Sequence, residues 1–556
     1  MNANLAHLLE RSLARPQRAL WRHWTGERWE DVTAPQVASR AAQWQAAFRR
    51  EGLRTGDRVA LAVRNGVQWI AIDQAALGMG LVVVPLYVDD NPDNIAWCAA
   101  HAESRLLVVD GSRMAEAIRK LAGEHAIPPI VVLRADAGEP GTTVEQFLPT
   151  ADRAFEVQAV EPDALATICF TSGTSGRPKG VMLSHRNIRS NVDMCLATGM
   201  AREDDRFLSI LPLSHMFERI GGYYLPLAVG AQVAYARGVA HIAEDLATQA
   251  PTAMFAVPRI FEKFAQRIEQ TLASAPAKKR LFDACVARGW IVEQGRARMR
   301  DRLILRALRR FVAKPILARM GGRLRLVVVG GAALDPALAR TFIGLGLPML
   351  QGYGMTEASP VISVNRLSDN RPDTVGRALD GVEVKLADNG ELLARGENVM
   401  LGYWRNDEAT RATVDAGGWL HTGDLAEIRE GRIAIRGRAK DILVMSNGEK
   451  LPPQDCEFAI LHDPVFEQAM LVGEGRPYVV LLAVSKETDE KTLVRRANEQ
   501  LKAFPRWMRV RRVIATPEPW SVENGLLTPT LKLKRPMLLA RYKDRIEAAY
   551  QSQNPD

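Results

Sequence analysis

Residues 165–180 read LATICFTSGTSGRPKG. The first six are apolar or small and β-prone, the composition of a strand buried on both faces. The ten that follow hold three glycines, a proline, four hydroxyls and Lys179, and Gly173, Gly176, Gly180 and Pro178 all resist regular structure, so the expectation is a loop leaving a buried strand. Such a loop turns backbone N–H groups inward and adds hydroxyl donors, which suits a polyphosphate, with Lys179 supplying positive charge. It is not the GxxxxGK[ST] loop, because Lys179 follows Pro178 and precedes Gly180, and this weakens a kinase, GTPase or Walker-type ATPase reading. A flexible Gly/Ser linker fits the same ten residues. The rest of the chain has to choose.

On either side, apolar β-rich runs alternate with helix-like stretches from about residue 30 to 450: RVALAV, LVVVPLY, RLLVVD, PIVVL and LRLVVVGG. The fold class expected is therefore α/β, a large N-terminal region of α/β sheet subdomains. Between about 373 and 440 the texture changes to short strands and close turns, VEVKLADNGELLARGENVMLGYW and GRIAIRGR, read as hairpins in a small β unit. The tail reads as a smaller, mobile C-terminal α+β domain, and the division expected is 1–440 and 441–556.

The 556 residues, 47% of them hydrophobic, suffice for several cores. Charges run through the opening MNANLAHLLERSLARPQRALW and argue against an export signal, and ALGMGLVVVPLYV is too short to span a bilayer. Five scattered cysteines without a CxxC pair indicate neither a disulfide framework nor a zinc site, and fit a reducing cytoplasm. A net charge of +9 suits anionic ligands or an anionic membrane surface and is no nucleic-acid signature. Much of it is local, in 295–326 and in RWMRVRR. In the first stretch Leu305, Leu308 and Val312 share a helical face and Arg302, Arg306, Arg309 and Arg310 lie mostly off it. That basic face meets phospholipid headgroups or is simply solvated. The oligomeric state, a homodimer included, stays open.

Further segments carry functional residue types. VVVGGAALDP ends a buried strand in Gly330 and Gly331, where a flat ligand can approach the backbone. QGYGMTEASP sets Tyr353 between glycines, a stacking surface for a purine, and puts Glu357, a hard oxygen ligand for Mg²⁺, beside Thr356. GWLHTGDLAEI offers Asp424, a carboxylate able to accept from both ribose hydroxyls. Arg438, Lys440 and Asp441 follow between the β unit and the tail, and Lys532, Lys534 and Arg535 stand near the end.

In this order, the segments resemble the acyl-adenylate-forming superfamily, which includes acyl-CoA synthetases, firefly luciferase and the adenylation domains of peptide synthetases. The resemblance runs from GDRVALAVRNGVQW at 56 to TLKLKRP at 530. LPLSHMFERI at 211–220 and ENGLLTPTLKLKRP look like the long-chain fatty acyl-CoA synthetase branch. It implies a long-chain fatty acid, ATP and CoA as substrates, Mg²⁺ as the ion, and no nucleic-acid partner.

Residue by residue, the resemblance assigns Thr171, Ser172, Gly173, Thr174, Ser175, Gly176 and Lys179 to the phosphates, and Thr171 and Glu357 to Mg²⁺. Gly331, Gln351, Gly352 and Tyr353 frame the adenine, Thr356 meets the α-phosphate, and Asp424 and Arg438 fix the ribose, with Lys440 beside them. Lys532 serves adenylation, Asp441 is the hinge, and the 446–450 loop lines the pantetheine path. His215 is either a residue orienting the carboxylate or a structural histidine. The chain departs from the family in writing SNGEK where a double glycine is usual and Leu531 where glycine usually precedes the lysine, which leaves Lys534 as the alternative to Lys532. An acyl-AMP ligase loading a carrier protein, or a catalytically silent binding homologue, are the competing readings.

Overall fold

The computed structural model describes the chain except residues 1–3, 135–141, 151–152, 172–176, 522–523, 529–532 and 552–556, and except the side chain of Lys450. It falls into two compact units. The first holds residues up to 171, then 177–384 and 394–421, and the second holds 385–393 and 422 onward.

Two sheets build the first unit. One has eight strands in the order Gly402–Tyr403, Lys179–Ser184, Leu165–Thr171, Val82–Pro85, Arg58–Ala62, Ser104–Gly111, Ile130–Arg134, Thr142–Thr143. The other has nine, with Met349–Gly354, Leu326–Val329, Ala253–Ala256, Arg206–Ser209 and Gln232–Tyr235 at its centre. Central neighbours are parallel, and Val82–Pro85, Ala253–Ala256 and Leu326–Val329 are buried along their whole length. Such runs can be continuously apolar because helices cover both faces of a parallel sheet. Antiparallel pairs close the margins: Leu165–Thr171 with Lys179–Ser184, and Met349–Gly354 with Val361–Val364.

The expected loop after the first strand is thus shorter than the composition suggests. Lys179 and Gly180 stand in a strand, opposite Thr171 and Phe170. Gly180 is tolerated there because the sheet is crowded: a Cβ would sit 2.8 Å from Ile168. A second correction concerns Gly402–Tyr403. The sequence reads them into the small β unit, but they pair with Val181 and Met182 and become the edge of the eight-stranded sheet.

The second unit contains the sheet Gln468–Val472, Val479–Val484, Val510–Thr516, with helices Pro453–Leu461, Glu490–Gln500, Arg535–Arg541 and Lys543–Gln551. Leu420–Arg429 and Arg432–Arg438 form a long hairpin next to Glu391–Arg395. All five cysteines are free and buried. Among the described residues no helix is long and apolar enough to cross a membrane.

A fully buried ion pair lies inside the first unit. Arg219 meets Asp73 of helix Val67–Gly78, and both side chains are excluded from solvent. Tyr223 and Tyr224 donate to the other Asp73 oxygen at 2.9 and 3.0 Å, and Arg219 donates to Thr167 Oγ1 at 2.8 Å. Trp69 and Tyr224 flank the guanidinium. Burial opposes the Arg219 charge, but Asp73 and the ring oxygens outweigh it and hold the group protonated. Breaking a buried pair leaves an uncompensated charge at a cost of about 3–5 kcal/mol. Asp73→Ala should therefore lower unfolding free energy by about that much in urea titrations, and a loss below about 1 kcal/mol would show that the network is dispensable.

Candidate active site

The site grows from strand ends. Leu326–Val329 runs parallel to Met349–Gly354 with Val329 opposite Gln351, so Gly330 and Gly331 emerge beside Gln351 and Gly352. Gly331 has φ +78°, in the left-handed region. A Cβ on Gly330 would come within 2.9 Å of the Phe217 ring and 3.4 Å of the Gly352 carbonyl oxygen, so backbone and ring close on each other there. Tyr353 is half-buried, next to last in this strand, and a Cβ on Gly354 would overlap the Pro360 carbonyl at 1.9 Å. The adenine residues named from sequence are therefore brought together.

Thr356, Glu357 and Ala358 make a single 3₁₀ turn directly after that strand. Glu357 is buried, and one carboxylate oxygen accepts from Tyr403 Oη at 2.8 Å. Tyr403 lies opposite Val181, and Lys179 Nζ stands 5.0 Å from the centre of its ring. The Trp404 amide donates to the Gly180 carbonyl and the Met400 amide to that of Glu357. Residues 400–404 thus join Glu357 to the strand carrying Lys179 and, across it, Thr171. Burial, with the Glu357 carboxylate next, pushes the Tyr403 phenol well above its ordinary value, so it remains a donor. Sequence reasoning missed Tyr403. Its only signal was an aromatic after glycine in LGYW.

His215 caps the turn Met216–Arg219: its Nδ1 accepts from the Phe217 amide at 3.2 Å, which puts the neutral ring's proton on Nε2. Phe217 in turn packs on Gly330 and Phe255. Glu218 is fully buried, and among the described residues neither its carboxylate oxygens nor the buried Tyr235 hydroxyl has a partner of full hydrogen-bond geometry; burial, with the Glu218 charge next, raises the Tyr235 phenol. Burial raises the Glu218 carboxyl to about 8, only partly opposed by Ser209 and the amides of Ile210 and Leu211.

The second unit is built in the same way. Asp424 pairs across the hairpin with Arg438, Nε to Oδ1 3.3 Å, and Thr422 Oγ1 accepts from the Asp424 amide at 3.1 Å. Lys440 is exposed and Asp441 half-buried in the 3₁₀ turn Ala439–Asp441. The 446–450 segment is a tight turn between Leu443–Val444 and Lys450–Leu451, with Gly448 at φ +83°. One glycine meets the conformational demand, so the missing second glycine does not open the turn. Arg535 is paired with buried Glu457 at 2.6 Å, which anchors helix Arg535–Arg541; Lys534 is half-buried at its N-terminus. Ser172, Gly173, Thr174, Ser175, Gly176 and Lys532 lie outside the described residues.

An α/β body with glycine-flanked strand ends, joined to a small α+β unit, defines the adenylate-forming class of fold. Solved structures agree: the adenylation domain of a carboxylate reductase from Mycobacterium chelonae superposes with a TM-score of 0.80 at 22% identity over 99% of this chain and 91% of that one. The anthranilate CoA ligase AuaEII in complex with anthranoyl-AMP gives 0.76 at 22%, over 99% and 98%. The AMP-binding enzyme profile matches residues 9–404 and its C-terminal domain profile 440–554. The chain belongs to the AMP-binding enzyme family. It is 30% identical to the long-chain-fatty-acid–CoA ligase FadD15 of Mycobacterium bovis, covering 94% of this chain and 92% of that one. It is 28% identical to the human long-chain-fatty-acid–CoA ligase 1 (94% and 82%) and 26% to the long-chain-fatty-acid–[acyl-carrier-protein] ligase AEE15 of Arabidopsis thaliana (93% and 82%).

Two outcomes are expected. Tyr403→Phe removes a hydrogen bond to an ion, worth about 1.5–3 kcal/mol of stability, and should slow AMP formation about tenfold or more at temperatures where the variant is still fully folded; a change under about twofold would separate Tyr403 from the site. Glu218 holds its proton in the folded chain up to about pH 8 but only to its ordinary 4.5 when unfolded. The folded state binds more protons between those values, so stability falls as pH rises through that window, by roughly 5 kcal/mol. Glu218→Gln should flatten that stretch of the stability–pH curve, and an unchanged slope would assign it to other groups.

Proposed function

We propose that this protein is an ATP-dependent long-chain fatty acid:CoA ligase, which forms acyl-AMP and pyrophosphate and then passes the acyl group to the CoA thiol. The observation that carries the reading is the meeting of Glu357, Tyr403 and Lys179 beside the Gly330–Gly331 and Gln351–Tyr353 strand ends. The acid and acceptor follow from relatives named as long-chain-fatty-acid–CoA ligases that align over most of the chain.

A free carboxylate must approach the α-phosphate of ATP, one anion toward another. Like charges about 4 Å apart repel by roughly 1 kcal/mol in water and about 4 in a partly dry site, so fixed cations decide whether attack is feasible. Lys179 supplies one at the described end of the phosphate stretch, and Lys532 is assigned the other. Glu357 and the Thr171 hydroxyl are hard oxygen donors of the kind Mg²⁺ takes, and Tyr403 occupies one side of Glu357, leaving its remaining lone pairs to an ion. Mg²⁺ bound there supplies charge neutralisation on the phosphate oxygens. Gly331, Gln351, Gly352 and Tyr353 receive the adenine and Thr356 the α-phosphate; Asp424, already oriented by Arg438, accepts from the ribose. His215, with Nε2 protonated, is able to donate toward the substrate carboxylate. The proposed domain division, 1–440 and 441–556, makes Asp441 the hinge through which one site serves two reactions in turn. Peripheral contact with a membrane suits a substrate that partitions into lipid.

One relative is a ligase for acyl carrier protein, so a carrier remains the second acceptor to test. The purified protein should release AMP from MgATP with palmitate and, with CoA present, yield palmitoyl-CoA by mass. Lys532→Ala should nearly abolish adenylation and spare thioester formation from supplied palmitoyl-AMP, whereas Lys534→Ala should spare both. Palmitoyl-AMP that accumulates unchanged with CoA would move the acceptor to a carrier protein, and no AMP from any acid would overturn the reaction.

A further inference from the structure

Residues 276–325 hold fifteen lysines and arginines against three acidic residues, a local net charge of +12 in a chain whose total is +9. The remainder of the protein is therefore slightly acidic, and its positive charge is the property of one helical segment. Helices Pro276–Glu293 and Met299–Leu308, the π turn Arg309–Ala313 and helix Lys314–Ala318 make up most of it. Their inner side is ordinary core: Phe282, Cys285, Leu305 and Ala313 are buried, with Leu308, Val312, Ile316 and Leu317 against them.

The outer side is not the purely basic face that the sequence suggests. Met299 is 75% exposed, Phe311 74% and Leu303 63%, and Leu281, Ile304 and Ile291 are exposed as well. Six of the thirteen large apolar side chains exposed among the described residues fall in this one stretch. Met299, Leu303 and Arg306 follow the spacing i, i+4, i+7 and share one face of helix Met299–Leu308, and Arg310 is exposed in the π turn that follows. Among the described residues no acidic side chain pairs with Arg300, Arg302, Arg306, Arg310 or Lys314; the ion pairs of this helical region involve Lys279. A solvated basic face has no use for protruding methionine, leucine and phenylalanine, and a nucleic acid, whose phosphates meet cations, would not select them. Apolar side chains flanked by unpaired cations instead match an interface with headgroup charge above and acyl chain beneath.

We propose that this helical segment docks the protein on an anionic phospholipid surface, Met299, Leu303 and Phe311 entering the acyl boundary while Arg300, Arg302, Arg306 and Arg310 meet headgroup phosphates. The contact is peripheral. It stands independently of the ligase reading, because binding is measured without substrate.

The test is flotation of the full-length protein with vesicles of phosphatidylcholine alone and of phosphatidylcholine mixed with phosphatidylglycerol. The protein should float with the mixed vesicles and not with phosphatidylcholine, and high salt should release it. Met299→Ser/Leu303→Ser/Phe311→Ser should weaken partitioning at least tenfold, and Arg302→Gln/Arg306→Gln/Arg310→Gln about a hundredfold, since each cation near such a surface is worth roughly a factor of five in partitioning. Both sets lie on solvent-facing positions, and unchanged melting of either one keeps the comparison valid if the other is poorly folded. Failure to float with mixed vesicles, or equal floating of wild type and both variants, overturns the proposal. So does a concentration-dependent dimer in sedimentation that the serine variant dissolves without any vesicle binding, because a second copy would then cover the face.

Discussion

A guanidinium with no access to water has to be neutralised where it stands, and in this protein the ion pair between Arg219 and Asp73 meets that demand. The pair fixes helix Val67–Gly78 to the turn at 216–224, and through Thr167, which itself donates to the Val83 carbonyl at 2.6 Å, it fixes both to the strand that leads into the phosphate stretch. Close packing enforces the arrangement. A Cβ on Gly221 would meet the Phe255 ring at 2.4 Å and one on Gly222 would meet Glu218 Oε1 at 2.1 Å, so the first glycine lets the turn press onto the strand beside it and the second leaves room for the buried carboxyl within the turn.

The catalytic geometry is downstream of that clamp. Phe217, two residues from Arg219, rests on Gly330, and His215 caps the same turn, so whatever displaces Arg219 displaces the floor of the adenine strands and the histidine together. On the other side, residues 400–404 leave a region of hairpins to edge the eight-stranded sheet, and carry Tyr403 between Glu357 and Lys179. An acidic side chain and a lysine are thus held near one phenol instead of pairing directly, which keeps both charges available to a ligand.

Charge is also divided between tasks. The cations expected to face ATP are few and each is built into a strand end or turn, whereas the excess positive charge of the chain sits on one helical segment with apolar side chains among it. Net charge by itself joins these two roles; position separates them.

What was legible from sequence alone was whatever rests on local chemistry. Apolar runs bounded by glycine specify buried strands because backbone groups within them must pair with neighbours, so Leu165–Thr171 and Leu326–Val329 were readable, as were the residue types able to meet phosphate, ribose and adenine. The buried face of Leu305, Leu308 and Val312 was readable from its period. Tertiary structure alone decided what depends on partners distant in the chain. Gly180 became a strand residue because its neighbours leave no room for a side chain, Tyr403 became the link to Glu357 because residues 400–404 cross to another sheet, and Glu218 became a protonated acid because everything around it excludes water. Periodicity reports which side of an element is apolar, but not what that side meets, and pairing, burial and charge state are set by the meeting.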